Sequence, residues 1–241
     1  MEDCAMPRAV REHGAAETYC HQRFVELWQS ITGDKGTGGA LFSFQMADRY
    51  AESHRKYHTW EHIEACLKLF DEFKPYALRP HLIEFALFFH DIIYEVDQSK
   101  GIDNEAASAD FAYEQLLSYS ESDPMYTKGG CVILGDSELD RTKKLVLATK
   151  HDKTLKDPDE QLIADIDLVT AFGIDKSEYA RQRAAIRQEY QHVPDPLFRD
   201  VRGKILMRFL ERRPNIYYWK PVRDKYEEIS ELNLAHELGL Y

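Results

Sequence analysis

Residues 85–94, "FALFFHDIIY", place a histidine and an aspartate inside an almost continuous apolar run. Together with the preceding "RPHLIE" the segment is apolar nearly all round, which is typical of a helix buried on every side. A side chain that can carry charge is costly to bury unless it has a partner. The stretch therefore predicts a central helix and, at His90 and Asp91, a polar site that other parts of the chain must complete.

Helical spacing of apolar residues extends over most of the chain. Phe24, Leu27, Trp28 and Ile31 follow one another at intervals of three and four, and residues 59–73 repeat the pattern. No strand alternation or internal repeat is present. We therefore expect an all-α helical bundle of about eight to ten helices.

The division of the chain follows from the same patterns. We expect residues 1–16 to form a flexible tail and residues 17–241 to form a single domain. The glycine-rich stretch "TGDKGTGG" at 32–39 lacks a following Lys-Ser/Thr pair, so a flexible connector is favoured over a phosphate-binding loop.

The charge balance excludes several classes of partner. With 42 acidic and 31 basic residues the formal net charge is −11, which disfavours binding to nucleic acid and to anionic membranes. No apolar run approaches the roughly 20 residues that span a bilayer. The four cysteines form no C-x-x-C pair, and we treat them as small apolar residues in a cytoplasmic protein. The oligomeric state stays open.

Histidines and acidic residues cluster in four places, and each cluster lies within or at the end of a predicted helix. The four stretches are "YHTWEH" at 57–62, "HD" at 90–91, "TKHD" at 149–152 and "DID" at 165–167. Imidazole and carboxylate ligands together suit divalent Mn, Fe, Co, Ni or Zn, and carboxylate-rich sets admit Mg. A metal ion that also holds water suits hydrolysis, because it lowers the pKa of that water.

The ordered H…HD…D set resembles the HD-domain metal-dependent phosphohydrolases. The similarity is closest to a subgroup described as predicted HD-superfamily phosphohydrolases, and it covers roughly residues 45 to 215. The matching stretches are "RYAESHRKYHTWEHI", "FALFFHDIIY", "DNEAASA", "ATKHD", "DIDLVTAFG", "IRQEYQHVPDPLF" and "RGKILMRFL". The resemblance implies an HD-type helical bundle and hydrolysis of a small phosphorylated molecule, with nucleotides as the first candidates.

The same resemblance assigns roles to individual residues. It makes His62, His90, Asp91 and Asp167 the metal ligands, with Asp165 as an alternative because both aspartates lie about 100° from Ile166 on the helix. The expected catalytic residues are Asp91, His151 and Glu105, with Ser108 beside a bound water. The expected substrate-binding residues are His58, Arg55, Lys150 and Arg187, and Arg202 is a further candidate.

Two other functions remain open at this stage. In an HD-type di-iron oxygenase, His58, His151 and Asp165 would supply extra ligands. In a non-catalytic metal-binding scaffold, the metal would only fix the bundle. Neither the substrate, nor the metal, nor the role of residues 121–136 can be read from the sequence.

Overall fold

The computed structural model describes residues 14–33, 38–122 and 136–240. These residues form ten α-helices and two 3-10 turns, at Lys74–Tyr76 and Gln98–Lys100, and contain no strand, so the all-α prediction is confirmed. In chain order the helices are α1 (Ala15–Thr32), α2 (Gly38–Tyr50), α3 (Trp60–Phe73), α4 (Pro80–Phe89), α5 (Asn104–Ser122), α6 (Asp136–Ala148), α7 (Pro158–Phe172), α8 (Lys176–Glu189), α9 (Asp195–Leu210) and α10 (Lys220–Glu237). Most of the expected tail and most of segment 121–136 lie outside the described residues.

Helix α4 is the centre of the bundle, as its apolar sequence predicts. Residues 82–89 are all buried, and the helix packs against α1, α3, α5, α6 and α7. On α1, the predicted stripe of Phe24, Leu27, Trp28 and Ile31 is buried as well. The ring of Phe24 lies 5.1 Å from that of Phe88, in an edge-to-face arrangement that aromatic pairs favour.

Helix α4 ends at Phe89, whereas the apolar pattern extends to residue 94. Side chains satisfy the carbonyl groups at this end: Tyr50 donates to the carbonyl of Phe88, and Arg55 donates to those of Asp91 and Ile92. Because these acceptors are paired outside the helix, the chain can turn here without leaving buried polar groups unpaired. His90 and Asp91 therefore lie in a turn at the C-terminal end of α4.

Helix α2 is an element that the sequence analysis did not anticipate, since it begins within the expected connector. It packs against α1, with Met46 and Tyr50 buried one turn apart. A Cβ atom at Gly39 would lie 3.0 Å from the Trp28 side chain. The absence of a side chain at residue 39 therefore allows the two helices to approach closely.

Three buried carboxylates fix the starts of three helices. Each accepts hydrogen bonds from backbone N–H groups that lie just before the first turn of another helix, and such charge-assisted bonds are stronger than neutral ones. Asp159 accepts from Leu78 and Arg79 before α4, Asp165 accepts from Tyr218 and Trp219 before α10, and Glu189 accepts from Lys56, Tyr57 and His58 before α3. These bonds fix α7 and α8 relative to the helices that carry the histidines described below.

No helix in the described part of the chain is both long enough and apolar enough to cross a membrane.

Replacing Asp159 by alanine should destabilise the fold strongly. The Asp159 side chain is fully buried, and its removal leaves two backbone donors without their acceptor, whereas Arg141 loses one contact and keeps its ion pair with Asp157. We expect a loss of about 2–4 kcal/mol in the free energy of unfolding, measured by chemical denaturation. Asp200→Ala is the control, because it removes only an exposed ion pair with Lys204 and should cost less than about 0.5 kcal/mol. Equal losses in the two variants would contradict this role for Asp159.

Candidate metal centre

Four of the predicted ligands lie together at the centre of the bundle. His62 is on α3, His90 and Asp91 follow α4, and Asp167 is on α7. The Nε2 atoms of His62 and His90 are 3.1 Å apart. Asp91 Oδ2 lies 3.4 Å from His62 Nε2 and 3.1 Å from His90 Nε2, and Asp167 Oδ1 lies 3.5 Å and 3.7 Å from the same two nitrogens.

These separations fit a common cation. Metal bonds to imidazole nitrogen or carboxylate oxygen are about 2.1 Å long, so adjacent ligand atoms lie about 3.0 Å apart at right angles and about 3.4 Å apart at tetrahedral angles. The observed separations of 3.1–3.7 Å lie close to these two values. In addition, His90 Nδ1 lies 2.9 Å from the carbonyl oxygen of Leu87, which requires a proton on Nδ1. In the neutral ring this leaves the Nε2 lone pair free to bind a metal.

The ligands of the centre differ in their exposure to solvent. The His62 and His90 side chains are almost fully buried, whereas those of Asp91 and Asp167 are 16% and 19% exposed. A molecule from solvent would therefore reach the centre past the carboxylates. A catalytic metal site needs a coordination position that solvent or substrate can occupy, unlike a closed structural site.

Cys66 is a neighbour that the sequence analysis assigned no chemical role. It lies one turn after His62 on α3, with its Sγ atom 3.8 Å from His62 Nε2 and 3.5 Å from the Thr170 hydroxyl. His62, Cys66, His90 and Asp167 each offer a ligand atom, all within 4.8 Å of one another, so this buried group could hold a metal ion. The i,i+4 spacing of His62 and Cys66 was the signal in the sequence.

The imidazoles and carboxylates of the centre shift one another's pKa values in opposite directions. Burial lowers the pKa of His90, but the charge of Asp91 and the hydrogen bond with Asp167 outweigh it and hold the pKa well above the usual value. Burial raises the pKa of both aspartates, yet their contacts with the imidazoles hold each pKa well below the usual range. Two carboxylates enclosed in this way need positive charge beside them.

His151 supports Asp167 from the opposite side. Its Nε2 lies 2.9 Å from Asp167 Oδ2, and its ring packs edge-on against Phe209. The backbone of His151 has φ of 55°, a left-handed conformation that is costly for residues with a side chain. The turn after α6 therefore adopts an unfavourable conformation that brings this imidazole to a predicted metal ligand.

His58 and Glu189 form a second polar pair near the centre. The Nδ1 atom of His58 lies 2.8 Å from Glu189 Oε2, and the His58 ring stacks on Tyr94 at 3.9 Å. Burial raises the pKa of Glu189, but His58 and the three amides described above outweigh it and lower the pKa to about 2. Sequence reasoning missed Glu189, although it lies within the matching stretch "IRQEYQHVPDPLF".

The three basic residues expected to bind substrate already have partners in the protein. Arg55 is enclosed and directs four hydrogen bonds to Glu52 and to the carbonyls of His58, Asp91 and Ile92. Lys150 is half-buried and pairs with Asp103. Arg187 contacts Asp195 and the carbonyls that follow α8, so the structure does not bring it to the metal centre.

Other predicted residues occupy different surroundings. Burial raises the pKa of Glu105, and the charge of nearby Asp91 raises it further. The Ser108 hydroxyl bonds to the backbone of Ile93. Arg202 is paired with Glu237, away from this group.

Asp165 differs sharply from Asp167. Its Oδ1 and Oδ2 atoms accept from the amides of Tyr218 and Trp219 at 2.8 Å and 2.7 Å, and the side chain is fully buried. Burial raises the pKa of Asp165 to about 7, although the two amides oppose this shift. The first aspartate of "DID", Asp165, therefore bonds to backbone amides, whereas the second, Asp167, contacts the imidazoles of His62 and His90.

Searches against protein-family models, curated proteins and solved structures find no match to this chain.

Substitution of the two aspartates should separate metal binding from stability. Asp167→Ala should weaken binding of Mn²⁺ or Ni²⁺ by more than about 100-fold, since loss of an outer-shell partner alone costs about 10- to 100-fold. Asp165→Ala should retain the metal but lose about 2–4 kcal/mol of stability, because two buried amides lose their acceptor. Calorimetric titration and chemical denaturation of both variants measure these effects. Unchanged metal affinity in Asp167→Ala would contradict the assignment.

The Glu189 carboxylate should make the free energy of unfolding depend on pH in the acidic range. Because its pKa is about 2 in the folded protein and near 4.5 in a free chain, its contribution is complete above about pH 4.5 and is lost as the pH falls towards 2. The contribution is on the order of 3 kcal/mol, since one pKa unit corresponds to about 1.4 kcal/mol. In Glu189→Gln, the free energy of unfolding should vary less over this pH range than in the wild type. Parallel curves for the two proteins in urea titrations would show that Glu189 does not contribute.

Proposed function

We propose that this protein is an HD-type, divalent-metal-dependent phosphohydrolase that acts on a small phosphorylated molecule. The observation that carries the proposal is the convergence of His62, His90, Asp91 and Asp167, in the order H…HD…D, at separations of 3.1–3.7 Å. The partial exposure of Asp91 and Asp167 supports it, because a substrate needs access to the centre.

The ligand residues would hold a divalent metal, which when bound supplies an electrophile for a phosphoryl oxygen and lowers the pKa of water. Imidazole and carboxylate together suit Mn, Fe, Co, Ni or Zn, and admit Mg. His90 is oriented for this role by the Leu87 carbonyl, and Asp167 by His151. Arg55 holds the carbonyl of Asp91 and thereby keeps the turn in place.

Two side chains near the ligands are suited to proton transfer. The Glu189 carboxylate accepts a hydrogen bond from Nδ1 of His58. This leaves Nε2 of the same ring available to a leaving-group oxygen. This arrangement of a carboxylate that orients an imidazole is one that enzymes use for general acid–base catalysis. Glu105, a carboxylate whose pKa responds to the charge of Asp91, is our candidate to accept a hydrogen bond from the attacking water.

A non-catalytic metal-binding scaffold is the second candidate, and Cys66 is the observation that favours it. A metal bound by His62, Cys66, His90 and Asp167 would have four protein ligands, the number that closes the coordination sphere of structural zinc sites. The oxygenase alternative has less support, because the carboxylate oxygens of Asp165, one of its proposed extra ligands, accept from backbone amides.

A metal-reconstitution assay tests the proposal. Protein stripped of metal should hydrolyse at least one member of a panel of phosphomonoesters and nucleotides after addition of Mn²⁺, Co²⁺, Ni²⁺ or Mg²⁺. No turnover with any combination would refute the proposed activity.

Asp91→Ala and Cys66→Ala are a matched pair for the same assay. If Asp91 completes the ligand set, Asp91→Ala should lower turnover by more than about 100-fold, and Cys66→Ala should leave it within about threefold, since Sγ then only packs beside the ligands. If Cys66→Ala lowered metal affinity more than Asp91→Ala did, and the wild type showed no turnover, the site would be a structural one.

A further inference from the structure

A cavity of about 300 Å³ is lined in part by His151, whose Nε2 lies 2.9 Å from Asp167 Oδ2. Its lining includes His151, Lys153, Arg208, Arg212 and, as its acidic member, Asp152. Because His151 both lines this cavity and bonds to a predicted metal ligand, the cavity adjoins the candidate centre.

Arg208 and Arg212 lie one turn apart on α9 and the turn that follows it, and both pack on the same ring. Their Cζ atoms are 5.5 Å and 4.8 Å from the centroid of Phe209, and the His151 ring centroid is 5.6 Å from that point. Arg212 also donates to the carbonyl of His151 at 3.2 Å. One small molecule in contact with His151 could therefore reach both guanidinium groups.

Neither arginine has a carboxylate partner among the residues that the structure describes, in contrast to neighbouring Arg213, which pairs with Glu231 at 2.8 Å. Lys153 likewise forms no ion pair with a described residue, and Asp152 lies 3.9 Å from Lys150. Like charges one helical turn apart destabilise a helix. Burial lowers the pKa of Arg212, and the charge of Arg208 lowers it further.

Such a concentration of unpaired cations is unusual in a chain with a net charge of −11. The planar guanidinium group forms paired hydrogen bonds with phosphate oxygens, and an anion in the cavity would relieve the repulsion between the two arginines.

We propose that the cavity lined by Arg208, Arg212 and Lys153 binds a second phosphate of the substrate, beyond the one that is hydrolysed. This inference rests on the proposed function and narrows its substrate to molecules with two or more phosphates, such as nucleoside diphosphates, nucleoside triphosphates or bisphosphates. Phosphomonoesters with one phosphate would lack this contact.

Titration of metal-free protein with inorganic pyrophosphate tests the site without any need for catalysis. Arg208→Gln should weaken pyrophosphate binding by at least tenfold in calorimetry. Arg212→Lys keeps the charge but loses the paired N–H donors of the guanidinium, and should weaken binding less. Arg213→Gln is the control of equal charge change outside the cavity and should stay within twofold of the wild type. Equal binding by the wild type and Arg208→Gln, or no binding by the wild type, would overturn the inference.

A kinetic comparison separates this inference from the proposed activity. In metal-loaded enzyme, Arg208→Gln should lower kcat/KM at least tenfold for substrates with two or more phosphates and leave it within twofold for phosphomonoesters. An equal effect on both substrate groups would overturn the inference while the proposed hydrolysis stands. Pyrophosphate binding that depends on Arg208 in a protein without turnover would instead uphold the anion site and refute the hydrolase.

Discussion

Two carboxylates enclosed with two imidazoles at the centre of an apolar bundle impose the main constraint on this structure. Asp91 and Asp167 lie within 3.7 Å of the nitrogens of His62 and His90, beside a helix that is buried along most of its length. Enclosed negative charge is tolerated only where positive charge accompanies it. Protons on the imidazoles or a bound metal can supply that charge, and the choice between them determines what the protein can do.

The fold keeps this centre in place through three buried carboxylates that accept hydrogen bonds from backbone amides. Asp159, Asp165 and Glu189 each hold the backbone before the first turn of another helix. Glu189 does so for α3, which carries His62, and Asp159 does so for α4, which ends just before His90. A shift of either helix would break two or three charge-assisted bonds, so the ligands can be positioned with little freedom.

Positive charge is distributed unevenly around the centre. Arg55 directs its hydrogen bonds to groups of the protein, and Arg187 and Arg202 form ion pairs with Asp195 and Glu237. Arg208 and Arg212 instead face a cavity beyond His151 without acidic partners among the described residues. Since burial and the charge of Arg208 both disfavour the charged form of Arg212, an anionic ligand in the cavity would offset both effects.

The sequence by itself determined the helical class, the buried central helix and the ordered histidines and aspartates, because apolar periodicity and costly buried charge are local properties. Helix α2 was not predicted, because it packs closely on α1 where Gly39 faces Trp28, a contact between helices that the local sequence pattern does not reveal. The separate roles of Asp165 and Asp167 were decided by tertiary structure, because two residues symmetric about one helix face differ only in what packs against them. The same reason explains Glu189 and the cavity at Arg208: their partners are distant in the chain, and no spacing in the sequence encodes such distances.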